Sequence, residues 1–156
     1  MTTALEKFTI EGFQALLFRV QDILFAVDLE HIDELLELHQ LEVGGDRLRR
    51  FDRLLPFGSA PVIYRDPRIL TVHYRGSRLL MQIDQPEDIT FIRLENMHPL
   101  PALLDRVRET DFIWGVGLVR EAPVLLVDCL KIAAACQQDG SLAGNAILNS
   151  ETHAKT

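Results

Sequence analysis

The side chains that could carry catalysis or hold a metal ion are few in this chain of 156 residues, and they are widely spaced. A metal site needs three or four converging ligands, and the spacing of the five histidines does not predict one. Those histidines are His31, His39, His73, His98 and His153. The acidic pairs Asp33-Glu34 and Glu87-Asp88 are immediate sequence neighbours, which is typical of solvated turns and not of a separated acid and base. We therefore predict a protein that is not an enzyme and that binds no metal or cofactor.

Motifs of the common catalytic and nucleotide-binding sites are also missing from the sequence. It contains no phosphate-binding P-loop, no nucleophile elbow, no zinc-protease helix motif and no dinucleotide-binding glycine fingerprint. Gly115 and Gly117 lie in a strand-like apolar run, where they indicate close backbone packing or a bulge. Cys129 and Cys136 are about two helical turns apart, which is too far for a disulfide. We predict that both cysteines are small buried residues.

The charge distribution argues against nucleic acid as a partner. The formal net charge is −7, so a globally basic surface is excluded. Arg47, Arg49, Arg50 and Arg53 nevertheless form a local basic cluster. Apart from Phe51, no aromatic residue is interleaved with them to stack on bases. We interpret the cluster as a patch facing an acidic partner, with a nucleic-acid site as the less favoured alternative.

Hydropathy predicts a protein that does not insert into a membrane. No apolar run approaches the roughly 20 residues that a membrane-spanning helix needs. The first residues, MTTALEKFTIEG, lack the charged-then-apolar pattern of a secretory signal. Hydrophobic residues make up 47% of the chain and charged residues 25%, which is typical of a folded domain. We expect one domain in the cytoplasm.

The elements that must position any functional residues are mainly β-strands. Short apolar runs bounded by turn residues predict strands over 13–20, 23–29, 69–74, 78–84, 89–94, 111–120 and 123–128. Many short strands without alternating helices indicate an antiparallel barrel or sandwich. Two small barrels sharing one interface are as consistent with this pattern as one larger sheet.

Helical spacing is confined to short segments. In residues 30–39, Ile32, Leu35 and Leu36 are spaced as one face of a helix, and residues 129–136 predict a terminal helix. Residues 48–55 fit either a short helix or a bent strand.

The ends of the chain are polar. We predict a polar lead over residues 1–12, a domain of two intertwined subdomains over 13–136, and a poorly ordered tail over 137–156.

Two long stretches carry a family resemblance. Residues 13–38 read as a hairpin followed by Ile32-Asp33-Glu34-Leu35, and residues 69–132 contain Ile83-Asp84, Met97-His98-Pro99-Leu100-Pro101, FIWGVG and PVLLVD in that order. In this order they resemble the CheW-like family of chemosensory coupling proteins, whose corresponding motifs are V-x-E-[IV], a strand ending in V-D, I-x-P-x-P and [FY]-[IL]-x-G-[VI]-G. The resemblance covers about three fifths of the chain.

The resemblance implies a mainly β fold of two small five-stranded antiparallel barrels packed together, with short helices. It also implies a non-catalytic adaptor that couples a CheA-like histidine kinase to the cytoplasmic tips of chemoreceptors. The family's N-L-R-G segment has no counterpart here, so the first barrel is predicted to be altered. Phe51-Asp52-Arg53-Leu54-Leu55 is interpreted as a remnant of the family's D-L element.

The resemblance further implies a groove for a helical partner beside the segment from Ile32 to Leu36, near the strand that ends at Asp84. The predicted partner-binding residues are Ile32, Glu34, Leu36, Ile83, Asp84 and Trp114. Two alternatives stay open at this point: Ile32 and Leu36 could cap the first barrel, and Trp114 could be a core anchor. Self-association is also left open, and the alternative to the adaptor is an unrelated small β-barrel that binds a small ligand or an oligonucleotide.

Overall fold

The fold is built from short β-strands, as seen in a computed structural model that describes residues 11–41, 48–55, 61–101 and 112–138. Most of the predicted polar lead and tail, together with Arg47, lie outside these ranges. The strands are β1 (Gly12–Val20), β2 (Ile23–Asp28), β3 (Glu34–Leu36), β4 (Leu48–Arg50), β5 (Pro67–Tyr74), β6 (Ser77–Asp84), β7 (Pro86–Arg93), β8 (Met97–His98), β9 (Ile113–Val119) and β10 (Ala122–Val127). The helices are α1 (Phe51–Leu54), α2 (Cys129–Gln138) and three short 3₁₀ helices, Leu29–His31, Leu38–Gln40 and Leu94–Asn96. The prediction of a mainly β fold with short helices is confirmed.

The described strands form two curled sheets. One sheet has six strands in the order β7-β1-β2-β10-β9-β8, and the other has four strands in the order β3-β5-β6-β4. Consecutive strands pair as the antiparallel hairpins β1–β2, β5–β6 and β9–β10. The parallel pairing of β2 with β10 then joins the first hairpin to the last one, so both ends of the described chain lie in one sheet.

The three hairpins close through two-residue turns in which the first residue has a left-handed backbone, and in two of the turns the second residue has it as well. Gln21 has φ +57°, Arg75 and Gly76 have +49° and +81°, and Arg120 and Glu121 have +50° and +68°. Such turns match the right-handed twist of the flanking strands, although residues other than glycine adopt this φ at a cost. The apolar strands must therefore fix the register, because most of these turn residues do not favour the conformation.

The larger hydrophobic core lies between the two sheets and under α2. Its buried members include Leu16, Phe18 and Val20 of β1, Leu70 and Val72 of β5, and Ile132 and Ala133 of α2. Cys129 and Cys136 are buried in the same core and are not joined in a disulfide, which confirms that prediction. Burial raises the pKa of the Cys129 thiol to about 12, so the thiol stays protonated and unreactive at neutral pH.

A second core fills the concave side of the six-stranded sheet. It contains Ala15 and Leu17 of β1, Leu24 and Ala26 of β2, Ile92, Val119, Val124 and Leu126. Alternate residues of β1 thus enter two different cores, which explains why this strand is apolar along almost its whole length. Side chains occupy this concave side, which disfavours the alternative of a small ligand held inside a barrel.

The prediction of a helix over residues 30–39 is wrong. The segment forms a 3₁₀ turn, the short strand β3 and a second 3₁₀ turn. The backbone N–H of Asp33 donates to the carbonyl oxygen of Thr71 at 2.8 Å, and β3 then pairs with β5. Hydrogen bonding to a strand distant in sequence overrides a local helical spacing that spans barely two turns.

Residues 48–55 contain both of the structures that the sequence allowed. Leu48–Arg50 pairs with β6 in parallel as β4, and Phe51–Leu54 follows at once as one turn of helix. Phe51 is the buried residue of this turn. The bend between strand and helix therefore directs an aromatic ring into the core between the sheets.

Replacing Gly115 with valine should lower the free energy of unfolding by about 1–3 kcal/mol, because the site is overpacked by any side chain. A Cβ atom at this position would lie 2.8 Å from the carbonyl oxygen of His98 in the neighbouring strand. Thermal denaturation followed by circular dichroism measures the loss, with Leu118→Val on the exposed face of the same strand as control. An unchanged midpoint for Gly115→Val would show that β8 does not pack against this glycine.

Candidate partner-binding surface

Exposed apolar side chains occur in β3 and in the turn that follows it. Leu35 is 43% exposed and Leu38 is 42% exposed, which is unusual for two leucines so close together in sequence. Ile32 and Leu36 are half-buried, and Ile32 packs against the core between the sheets. We call Ile32, Leu35, Leu36 and Leu38 the β3 surface; within it Leu35 and Leu36, as consecutive strand residues, point to opposite faces of the sheet. Apolar residues that stay accessible on a fixed backbone are a feature of protein-binding sites.

Hydrogen bonds hold the backbone of this surface in place. The Asp28 carboxylate accepts from the N–H of Glu30 at 2.9 Å and caps the first 3₁₀ turn. The hydroxyl oxygen of Thr71, which is fully buried, accepts from the N–H of Glu34 at 2.9 Å. Thr71 therefore binds two successive residues, through its carbonyl and its hydroxyl, and fixes where β3 begins.

The second 3₁₀ turn presents Leu38 by a reciprocal cap. The side-chain oxygen of Gln40 accepts from the N–H of Glu37 at 2.8 Å, and the N–H of Gln40 donates to the Glu37 carbonyl oxygen at 2.9 Å. Such capping satisfies backbone groups that a three-residue turn would otherwise leave without partners. Leu38 is thus exposed on an ordered turn.

Acidic side chains border the β3 surface. Asp33, Glu34 and Glu37 are all exposed. The Asp33 carboxylate lies 3.4 Å from Nδ1 of His73, and the Glu37 carboxylate lies 3.9 Å from Nδ1 of His39. Exposed leucines and exposed carboxylates thus alternate along this segment, which suits a partner with apolar residues flanked by basic ones.

Asp84 and Ile83 lie inside the protein, with 1% and 0% of their surfaces exposed. The Asp84 carboxylate accepts from the backbone N–H groups of Arg65 and Asp66 at 2.9 and 2.6 Å, and from the side chain of Gln85 at 3.1 Å. A partner docked on this face would touch neither side chain. Asp84 acts instead as an internal anchor for the segment that precedes β5.

Arg50, from the basic cluster, is engaged within the protein. Its guanidinium pairs with Asp52 at 2.9 Å, donates to the carbonyl of Val62 at 2.7 Å and stacks over the ring of Tyr64 at 4.4 Å. The Tyr64 hydroxyl also donates to Asp52 at 2.7 Å. Burial opposes ionisation of Asp52, but the hydrogen bonds from Arg50 and Tyr64 outweigh it and lower the pKa of the carboxyl. Arg49 is half-buried, whereas Arg53 is exposed.

Trp114 lies on the outer face of the six-stranded sheet and is 46% exposed, so the core alternative is wrong. Its ring centroid is 5.9 Å from that of Phe13 in a tilted arrangement. Leu118, four residues further along β9, is 39% exposed on the same face. Trp114 therefore belongs to a second exposed apolar area, on a different sheet from the β3 surface.

The structure places four of the predicted site residues in the four-stranded sheet, on two strands that are not neighbours. Glu34 and Leu36 on β3 pair with β5, which in turn pairs with the strand that ends in Ile83 and Asp84. Sequence reasoning missed Leu35 and Leu38 as surface residues. The run E-L-L-E-L carries the signal only when it is interpreted as an edge strand and a turn, since a helical interpretation places Leu35 on the buried face.

The described residues also bear on metal binding and on membrane crossing. Within them, no three His, Cys, Asp or Glu side chains are grouped closely enough to hold a metal ion. None of the helices there is both long and apolar enough to cross a membrane.

Comparison with known proteins identifies the fold. The chain matches no protein-family model, and a search of curated proteins found no match. Among solved structures it is similar to the crystal structure of the scaffolding protein TtCheW from Thermoanaerobacter tengcongensis, with a TM-score of 0.58. The two are 13% identical, and the alignment covers 74% of this chain and 88% of that one. The chain therefore has a CheW-like fold of two barrel-like β-subdomains.

Proposed function

We propose that this protein is a non-catalytic adaptor of a chemosensory-type signalling system, which couples a CheA-like histidine kinase to chemoreceptors in the cytoplasm. The observation that carries the proposal is the β3 surface, where Leu35 and Leu38 are exposed on a hydrogen-bonded backbone, in a fold shared with a scaffolding protein. The family resemblance of the sequence independently assigns partner binding to the same segment, Ile32 to Leu36.

An adaptor requires complementary surfaces and no reactive groups. The β3 surface offers Leu35 and Leu38 as accessible anchors, and the exposed carboxylates around them favour a helix with an apolar stripe and basic flanks. Because Thr71 and Gln40 already fix the backbone, little conformational entropy is lost when a partner docks.

Under this proposal, each predicted site residue has its own role in the domain that spans residues 13–136. Ile32, Glu34 and Leu36 border or support the contact, and Trp114 supplies a second contact on the other sheet. Ile83 and Asp84 support the surface from within, because both are buried.

Replacing Leu35 with glutamate should weaken binding of the partner by at least about tenfold without unfolding the protein. A carboxylate at an anchor position would have to be desolvated next to an acidic rim, whereas the side chain is exposed in the free protein. Isothermal titration calorimetry with the CheA-like kinase and with a chemoreceptor tip fragment from the same genome measures the effect.

The matched control is Ile63→Glu, which introduces the same charge at a position outside β3 that is 85% exposed. It should bind like the unsubstituted protein. If Leu35→Glu binds as tightly as the control, the β3 surface is not the contact. If neither fragment binds the unsubstituted protein, the adaptor proposal itself fails.

A further inference from the structure

The strand β7 forms an open edge of the six-stranded sheet. Within the described residues, it pairs only with β1. Ile89 is 56% exposed and Phe91 is 43% exposed on this strand. Proteins usually protect apolar edge strands, because an unpaired edge is a template for another strand.

The register with β1 identifies which backbone groups face the open edge. The N–H of Leu94 donates to the carbonyl of Glu11 at 2.7 Å, which continues the pairing of Gly12 with Arg93. Antiparallel ladders alternate, so Ile92 and Thr90 also bond to β1. The backbone N–H and C=O groups of the odd-numbered residues Ile89, Phe91 and Arg93 therefore point away from β1, towards the open edge.

We propose that a second copy of this chain pairs with β7 in antiparallel fashion, with the two-fold axis at Thr90. In this register, Ile89 of each copy lies opposite Phe91 of the other, and Glu87 lies opposite Arg93. All three kinds of cross-strand pair are favourable: an aromatic residue opposite a β-branched one, a threonine opposite a threonine, and two opposite charges. The strand is thus complementary to itself, as a closed two-fold dimer requires.

The charged residues favour this register over registers with the two-fold axis at Phe91 or Ile89. Centring the axis on Phe91 would place Glu87 opposite Glu95, and like charges directly opposite one another are destabilising. Centring it on Ile89 would place Glu87 opposite Phe91 and would leave Arg93 without an acidic partner.

Existing contacts of β7 limit the strength of the dimer. The register with β1 shifts between Leu16 and Phe18, which places an irregularity near Glu87. Glu87 also pairs with Arg19 at 2.8 Å, and Arg93 pairs with Glu95 at 3.4 Å. These pairs are partly or fully exposed and therefore weak, so they can exchange partners. The contact is short, and we expect dimerisation to depend on protein concentration.

Sedimentation velocity from about 5 to about 500 µM should show a reversible monomer–dimer equilibrium. Ile89→Lys should raise the dimer dissociation constant at least about tenfold, because two lysines would then face the apolar centre. Ile63→Lys changes a more exposed isoleucine elsewhere and should dimerise like the unsubstituted protein.

A charge exchange tests the register. Glu87→Arg and Arg93→Glu should each weaken the dimer, and the two changes combined should restore it, because the register places these residues opposite each other. Circular dichroism melting verifies that every variant folds. A monomer at all concentrations, a dimer that tolerates Ile89→Lys, or a failure of the combined variant to recover would each overturn the proposal. None of these outcomes depends on the proposed adaptor function.

Discussion

Replacing Phe51 with alanine should destabilise the protein by about 3–5 kcal/mol, the range found when a large buried aromatic ring is removed. Phe51 is fully buried in the core between the two sheets. Its ring centroid lies 5.0 Å from that of Phe18 and 4.8 Å from that of Phe25, in edge-to-face arrangements. Alanine would leave a cavity and remove two aromatic pairs, each of which contributes about 0.5–1.5 kcal/mol beyond burial.

Urea denaturation followed by circular dichroism measures the loss. The control is Phe91→Ala, which deletes the same atoms from a ring that is 43% exposed and should cost much less. Phe51→Leu should fall between them, because leucine fills part of the space. Equal midpoints for Phe51→Ala and Phe91→Ala would mean that Phe51 does not bridge the two sheets.

Phe51 also illustrates what the sequence could and could not predict. The strands of the hairpins β1–β2, β5–β6 and β9–β10 could be predicted because each strand is a short apolar run bounded by turn residues, so the signal is local. The segment around Phe51 carries both strand and helix signals. The deciding interactions are the parallel pairing with β6 and the ring contacts with Phe18 and Phe25, which lie far away in sequence.

The sequence predicts partner binding for the segment from Ile32 to Leu36, but it predicts the wrong backbone structure for that segment. The spacing of Ile32, Leu35 and Leu36 fits a helix, and the acidic residues between them fit its solvent face. The strand forms because Thr71, 37 residues from Glu34, offers both its carbonyl and its hydroxyl oxygen to the segment. No pattern within ten residues of β3 contains that information.

Burial was the other property that motif matching could not supply. The resemblance assigned partner binding to Asp84 because a strand ends there, yet the carboxylate points inward. It accepts hydrogen bonds from the N–H groups of Arg65 and Asp66, 19 and 18 residues earlier. Conversely, Trp114 could be core or surface by residue type, and only the packing of β9 decides that it is exposed.

Replacing Asp84 with alanine should cost about 2–4 kcal/mol, because it leaves two backbone N–H groups without their acceptor and removes charge-assisted bonds. Both N–H groups donate to the same carboxylate oxygen, Oδ1, at 2.9 and 2.6 Å. Asp84→Asn retains an oxygen at that position, so the loss should be smaller, near 1 kcal/mol. In thermal melting, Asp84→Asn should therefore have a higher midpoint than Asp84→Ala. The reverse order of midpoints would contradict the anchoring role.

The same pair of variants separates anchoring from partner contact. Hydrogen exchange at the amides of Arg65 and Asp66 should accelerate in Asp84→Ala, since those protons lose their acceptor, and should change little in Asp84→Asn. Because Asp84 is 1% exposed, the folded Asp84→Asn protein should also bind the kinase and receptor fragments normally, unlike Leu35→Glu. Normal melting of Asp84→Asn combined with lost binding would instead make Asp84 a contact residue, and would require the segment before β5 to move aside when the partner docks.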